Sequence, residues 1–390
     1  MVNYYQHKLS GIGLNNFNAG SKIVLSVLAL LALMAFLAVE FQKEDVKLKW
    51  YDQKLEAANL AKNAIDYLKE FRLQKGVFID AVNDPNETAL IGQDITPITT
   101  DRGNIEAKLT ATNPNFAAVL VEMLKEAGLE KNDVVAIAFT GSLPGLNISV
   151  HAAIQTLDLK PIIITSVGAS NWGANDPYYT WLDMEKELYK AGIFKNSSIA
   201  ASIGGGLDRG RGLSPDGREL IVNAIERNKV EFINEEYLEK SITKRMEIYN
   251  QHKKKSKIKA FINVGGGIAS MGSTENSQFV PSGLTMSLPM MNYPMRGVLI
   301  QMAEEGIPVI HLLNIRQLAK KYGLPISPTP LPTPGEGEVF IQKRYSVILT
   351  SAVTLFLTAA IALVFFMERK RHRLGTEQIP IQRKTNLDQI

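Results

Sequence analysis

The 390-residue chain contains no cysteine. That absence excludes disulfides, a thiolate metal site and a cysteine nucleophile, whatever compartment the protein occupies. Histidine is scarce, five residues in all, and His151, His252 and His311 show no spacing such as HxH or HExxH that would bring two imidazoles to one metal. No metal and no cofactor are expected. Phosphate-binding glycine motifs are missing too: no loop reads GxxxxGK(S/T) or GxGxxG, so a nucleotide is not indicated. Nor is there a basic footprint for nucleic acid. The formal net charge is +4, but the residues before the first apolar run carry +2 and those after Met367 carry +3, leaving the middle near −1. The short run Lys253, Lys254, Lys255, Lys257 and Lys259 reads as a solvated helix end and strand lead-in.

What the chain does have is two long apolar runs, Ile23 to Val39 and Ser346 to Met367, with no charged side chain in either. At ~1.5 Å per helical residue they span roughly 26 Å and 33 Å, against a hydrocarbon core of about 30 Å. The shorter run relies on Lys22 to snorkel or on local thinning of the bilayer. Its flank is long for a signal peptide and no small-x-small cleavage site follows Val39, so an uncleaved anchor is expected. Lys8 and Lys22 precede the first run without an acid, while Arg369, Lys370, Arg371 and Arg373 follow the second. By the positive-inside rule both termini are expected in the cytoplasm, and the segment between the spans outside it, at a cell (inner) membrane.

The expected organisation is therefore a cytoplasmic tail (1–22), a first span (23–39), an amphipathic stem helix and connection (40–90), an extracytoplasmic domain (91–324), a Pro-rich strap (325–345), a second span (346–367) and a basic cytoplasmic tail (368–390). The stem, Lys43 to Gln74, places Trp50, Ala57, Ala61, Ala64, Leu68 and Phe71 on one face. That face either packs on the domain or drives assembly into a homo-oligomer. Pro325, Pro328, Pro330, Pro332 and Pro334 make an extended strap that either lifts the domain above the bilayer or folds back over it. Between them, short all-apolar runs alternate with helical patterns: Val134 to Thr140, Pro161 to Val167, Ser198 to Ile203, Lys259 to Val264 and Ile307 to Leu312. Such strands, buried on both faces, predict an α/β domain with a doubly wound, mostly parallel sheet of about five central strands.

Ligands of such sheets bind beyond the carboxyl ends of the strands, where loops gather and helix N-termini point. Four consecutive predicted strands run into loops rich in glycine and small polar residues: Gly141-Ser142; Ser170-Asn171 through Asn175-Asp176; Gly205-Gly206 with Asp208; and Gly266-Gly267. Bare backbone amides there favour carboxylates, phosphates or a polyanion. A fifth segment, Gly92 to Gly103, supplies Thr99, Thr100 and Arg102 for ligand oxygens, with Arg102 as the fork for a carboxylate. A nucleophilic enzyme is the alternative. Ser142 follows a strand as an elbow serine does, although the GxSxG pattern is absent; His311 and Asp208 are the further catalytic candidates. A serine there also serves as a helix cap or ligand contact, and His311 within Ile-Pro-Val-Ile-His-Leu-Leu also reads as a core histidine.

Several stretches together resemble a known family. They are Ile98-Thr99-Thr100, Asn113-Pro114-Asn115-Phe116-Ala117-Ala118, Gly141-Ser142 with Pro144, Ser166-Val167-Gly168-Ala169-Ser170, Trp172 to Pro177, Trp181 to Glu185, Ile262 to Gly267 and Pro308 to Leu313. In these the chain is similar to the poly-gamma-glutamate system protein of the PgsW type, over about Ile91 to Pro334 and in the two-span layout. The resemblance implies a part in making, exporting or retaining a poly-γ-glutamate capsule, with the membrane subunits of the synthase as partners. It assigns no catalytic residues. Three expectations follow: a domain that binds or guides the anionic polymer, a hydrolase or transferase that trims, releases or attaches it, and a scaffold of the synthase complex.

Overall fold

A computed structural model describes residues 22–376. Apart from Lys22 and the end of the last helix, the expected tails at 1–22 and 368–390 lie outside the described residues. The chain divides into two compact units, one formed by the two terminal segments up to Val46 and from Gln342, the other running from Lys47 to Ile341.

In the terminal unit, α1 (Lys22–Phe41) and the helix Val347–Thr376 pack beside each other. Both are long and apolar enough to cross a membrane, and almost none of their surface is buried by protein. Exposed side chains such as Phe36, Leu30, Phe365 and Phe366 need an apolar solvent, which a bilayer supplies. Between the helices, β1 (Lys43–Lys47) pairs with the returning segment Ile341–Tyr345. The Tyr345 hydroxyl donates to Glu40 Oε2 at 2.9 Å, and Lys43 sits over the Tyr345 ring.

The expected stem helix begins later than its pattern suggests. Residues 43–47 form β1 instead, and Trp50 takes a left-handed φ of 59° just before α2 (Tyr51–Gln74). The apolar face of α2 is buried in the domain: Ala57, Ala61, Ala64 and Leu68 are fully covered, chiefly by α4 (Phe116–Glu126) and α5 (Pro144–Thr156). Lys54 joins that face because its ammonium pairs with Glu122 and donates to the Val339 carbonyl at 2.9 Å. The small side chains let α2 approach closely, and each large one buried there, such as Leu68, contributes about 1.5–3 kcal/mol. The Pro-rich strap also lies against the domain. Asn115 donates to the carbonyls of Thr333 and Glu336, both at 3.0 Å, and the Ser327 amide donates to Thr110 Oγ1 at 3.0 Å.

The central sheet has seven strands. In chain order they are β3 (Val134–Thr140), β4 (Lys160–Ser166), β6 (Ala200–Ser202), β7 (Glu231–Ile233), β8 (Ile258–Val264), β9 (Gly283–Thr285) and β10 (Val309–Leu312). In space the order is β7-β6-β4-β3-β8-β10-β9, with every pair parallel except β10 with β9. The five expected strands are its middle, and β7 and β9 are three-residue edges. A separate two-stranded sheet joins β2 (Thr99–Asp101) to β5 (Ala169–Ser170). All seven residues of β3 are buried, so Val135, Ile137 and Phe139 enter one apolar layer and Ala136 and Ala138 the other. The first layer contains α2, α4, α5 and α6 (Trp181–Lys190); the second contains α8 (Leu238–His252) and α10 (Val298–Glu304). From β3 the chain moves outward through β4, β6 and β7, then returns to lay β8 on the other side of β3.

Candidate functional site

The carboxyl ends of β3 and β8, where the strand order reverses, open into a cleft of about 510 Å³. Thr140, Ser142, Ser166 and Ser170 line it, as do Gly205, Gly206 and the run Gly265 to Gly267. Its remaining walls come from Thr100 to Asn104, from α3 (Ile105–Ala111) and from the start of α11 (Ile315–Lys321). Helix and loop ends meet there because parallel strands deliver every following loop to the same edge. Thr100 is seated by missing side chains. A Cβ on Gly168 would lie 2.5 Å from Thr100 Cγ2, and one on Gly205, whose φ is +66°, would lie within 2.9 Å of Thr100 Cβ.

At one end of the cleft Lys108 reaches in from α3, whose first turn is capped by Asn104 Oδ1 accepting from the Ala107 amide at 3.0 Å. The side chain is buried, donates to the Ser142 carbonyl, and places Nζ 2.7 Å from Ser170 Oγ. No carboxylate pairs with it among the described residues. Burial without a counter-charge lowers its pKa to about 7, because the ammonium loses hydration that nothing replaces. The Ser170 amide in turn donates to Ser142 Oγ at 3.0 Å, so the two serine loops are stitched together behind the lysine.

Of the residues singled out in the sequence, Thr100, Arg102, Ser142, Ser170, Gly205, Gly206, Gly266 and Gly267 line this cleft. The others lie elsewhere. Thr99 Oγ1 accepts from Asn175 Nδ2 at 3.0 Å, and Asn175 also bonds the Gln93 backbone through both ends of its amide. Asn171 accepts from the Gly103 amide at 3.0 Å and donates to Asp94, so it fastens the segment that carries Arg102. Gly141 is buried, its amide donating to the Ser166 carbonyl at 3.0 Å. Asp176 pairs with Arg72 at 3.5 Å in a second cavity of about 590 Å³, beside the end of α2. That cavity is the larger, but it lies away from the strand ends, and Arg72, Asn175 and Asp176 along its wall already have partners.

Asp208 and His311 are both buried, and neither reaches the cleft. The Asp208 carboxylate faces Arg245 at 2.9 Å and accepts from Ser202 (2.7 Å), Ser241 (2.6 Å) and Ser166 (3.2 Å). It is held by four partners on three elements, β4, β6 and α8. His311 sits within β10, its Nδ1 2.9 Å from Asn263 Nδ2 on the neighbouring strand. Burial pushes its pKa down to about 4, so the ring is neutral at ordinary pH.

The cleft carries more positive than negative charge. Among the described residues, Arg102, Lys108 and Arg316 line it against Asp101 alone, and of the three bases only Arg316 is paired, with Glu106 at 3.1 Å. Lys108 and Arg316 were not anticipated from the sequence. One signal was present for Lys108: from Ala107 to Val121 it is the only charged residue, in a stretch that is otherwise apolar or small. Nothing in the sequence brings Arg316 to the same place. No family model matches the chain, and no curated protein or solved structure matches it.

Proposed function

We propose that the chain is a membrane-anchored component of a poly-gamma-glutamate capsule biosynthesis and export system, and that its cleft binds or guides the anionic polymer. The observation that carries this reading is the cleft itself: glycine loops at the strand ends, with Arg102 and Lys108 free of carboxylate partners among the described residues and a single acid facing them. A polymer with a carboxylate on every residue suits such a lining, through charge-assisted hydrogen bonds to Arg102 and backbone amides. The sheet is read as doubly wound, reversing between β3 and β8, which is where such folds bind ligands. Both termini are placed in the cytoplasm and the Lys47–Ile341 unit outside it, beside the membrane subunits of the synthase. The resemblance noted in the sequence supplies the identity of the polymer.

The test is isothermal titration of the full chain in nanodiscs with γ-linked glutamate oligomers. Heat of binding is expected with them and not with α-linked polyglutamate of equal length. Arg102→Ala is expected to weaken binding about tenfold or more, the worth of one charge-assisted hydrogen bond. Equal heat with the α-linked polymer overturns the reading.

A further inference from the structure

The arrangement of Lys108 and Ser170 exceeds what polymer binding requires. An amine that only attracts carboxylates works best charged and solvated, whereas this one is buried against two serine loops. We propose that Ser170 is a nucleophile and Lys108 its general base, and that the cleft performs acyl transfer on an amide flanked by carboxylates. The pair stands on its own geometry; the choice of a γ-glutamyl amide as substrate rests on the function proposed above.

Nζ and Oγ are 2.7 Å apart, within reach for proton transfer. A neutral lysine amine has two N–H donors and one lone pair. The Ser142 carbonyl accepts one of the donors, which turns the lone pair to where the Ser170 hydroxyl can donate into it. Ser170 is fixed on β5, in register with Asp101 of β2, and its amide is tied to Ser142 Oγ. A pKa of about 7 leaves much of the amine unprotonated near neutral pH. The charged groups facing it are few. Among the described residues, Asp101 and Arg102 lie on the segment leading into α3, and Arg316 of α11 pairs with Glu106; none forms an ion pair with Lys108. The other helix packed on α3, α5, carries no ionisable side chain except His151, which is turned to Glu185.

In the forward step the Ser170 Oγ–H proton passes to Lys108, and Oγ bonds to the carbonyl carbon of the amide. The tetrahedral intermediate then collapses with cleavage of the C–N bond, and the Lys108 ammonium returns the proton to the departing amine. An ester on Ser170 remains. Water gives a proton to Lys108 as its oxygen attacks the ester, and Ser170 recovers that proton as it leaves, releasing a carboxylic acid. An amine in place of water completes transfer instead of hydrolysis. Arg102, which has no carboxylate partner among the described residues, flanks the reaction as a carboxylate clamp.

The experiment treats the full chain in nanodiscs with a fluorophosphonate probe, which reacts with activated serines, and maps the adduct by peptide mass spectrometry. Labelling is expected at Ser170, rising with pH through a midpoint near 7, protected by γ-linked glutamate oligomers, and abolished in Lys108→Met and Lys108→Arg. Should Lys108→Met fail to fold, Ser170→Cys takes its place: its alkylation by iodoacetamide is expected at least tenfold faster than that of a cysteine replacing Thr274 in the same cleft. Oligomer binding without any label at Ser170, at any pH up to 9.5, overturns the pair while the binding function stands. Labelling at Ser170 that the oligomers neither slow nor compete with leaves the pair standing and removes the γ-glutamyl substrate.

Discussion

Lys108 should make the stability of the domain depend on pH in a direction opposite to that of a surface lysine in an ion pair. Its pKa falls from 10.5 to about 7 on folding, about three and a half decades of proton affinity, because burial strips the ammonium of water. At about 1.4 kcal/mol per decade the charged form costs the folded state about 5 kcal/mol. Between pH 7 and 10.5 the unfolded chain holds the proton and the folded one does not, so stability rises with pH across that window. The full penalty is present below pH 7 and gone above 10.5. From pH 6.5 to 9.5 the recovered part is about 3 kcal/mol. Lys108→Met removes the titration, so the melting temperature of the parent chain should climb toward, or further above, that of the variant by about 6 °C over that interval. Trp50, Trp172 and Trp181 all lie in the Lys47–Ile341 unit and report its unfolding by fluorescence in detergent-solubilised protein. Parallel pH dependences of the two melting temperatures, with no rise of the parent relative to the variant as pH increases, would refute a desolvated lysine.

Asp208→Asn should destabilise the domain by about 3–5 kcal/mol, since it leaves Arg245 buried without a counter-charge; adding Arg245→Met to Asp208→Leu should restore most of that loss in the same melting assay. An Asp208→Asn protein that melts normally yet no longer binds oligomers would show that the carboxylate serves ligand instead. Gly205→Ala combines a strained positive φ with a clash against Thr100 Cβ, which rotation of that side chain cannot relieve. It should cost about 1–3 kcal/mol and displace Arg102, so that oligomer affinity falls together with stability. The cysteine-free chain suits thiol mapping of topology. Tyr178→Cys should react with an impermeant maleimide on intact cells, and Gln378→Cys only after lysis.

The sheet was legible in its interior and illegible at its rims. Val134 to Phe139 is a six-residue apolar run closed by Thr140, and such a run without alternation, between turn residues, suits a strand covered on both faces. Glu231–Ile233 and Gly283–Thr285 are three-residue edges with no pattern to find, and their pairing is set by the neighbours they meet. The glycine loops could be placed at the strand ends because topology alone sends them there. Which polar residue faces the cleft could not be read the same way. Asp208 follows the run Gly204 to Gly206 at a strand end, much as Ser142 follows Gly141, yet Ser166, Ser202, Ser241 and Arg245 converge on it from β4, β6 and α8 and draw it inward. Lys108 was hidden by the opposite error, since a lysine in a short helix reads as solvated until the neighbouring loops close over it. The helix expected from Lys43 shows a third kind of limit: β1 exists because a partner strand arrives from almost 300 residues away.

That pairing has a thermodynamic side. Residues 43–47 and 341–345, together with the adjacent helices beyond them, hold the two ends of the Lys47–Ile341 unit side by side in space. As long as the helical pair stays intact in its bilayer, the intervening unit can unfold only as a closed loop. For a loop of roughly 300 residues, closure removes about 5–6 kcal/mol of conformational entropy from the unfolded ensemble. A protein without cysteine thereby obtains from its membrane anchor the kind of restraint that secreted domains commonly take from a disulfide. Releasing either helix from the bilayer should loosen the domain even though no contact inside it is touched.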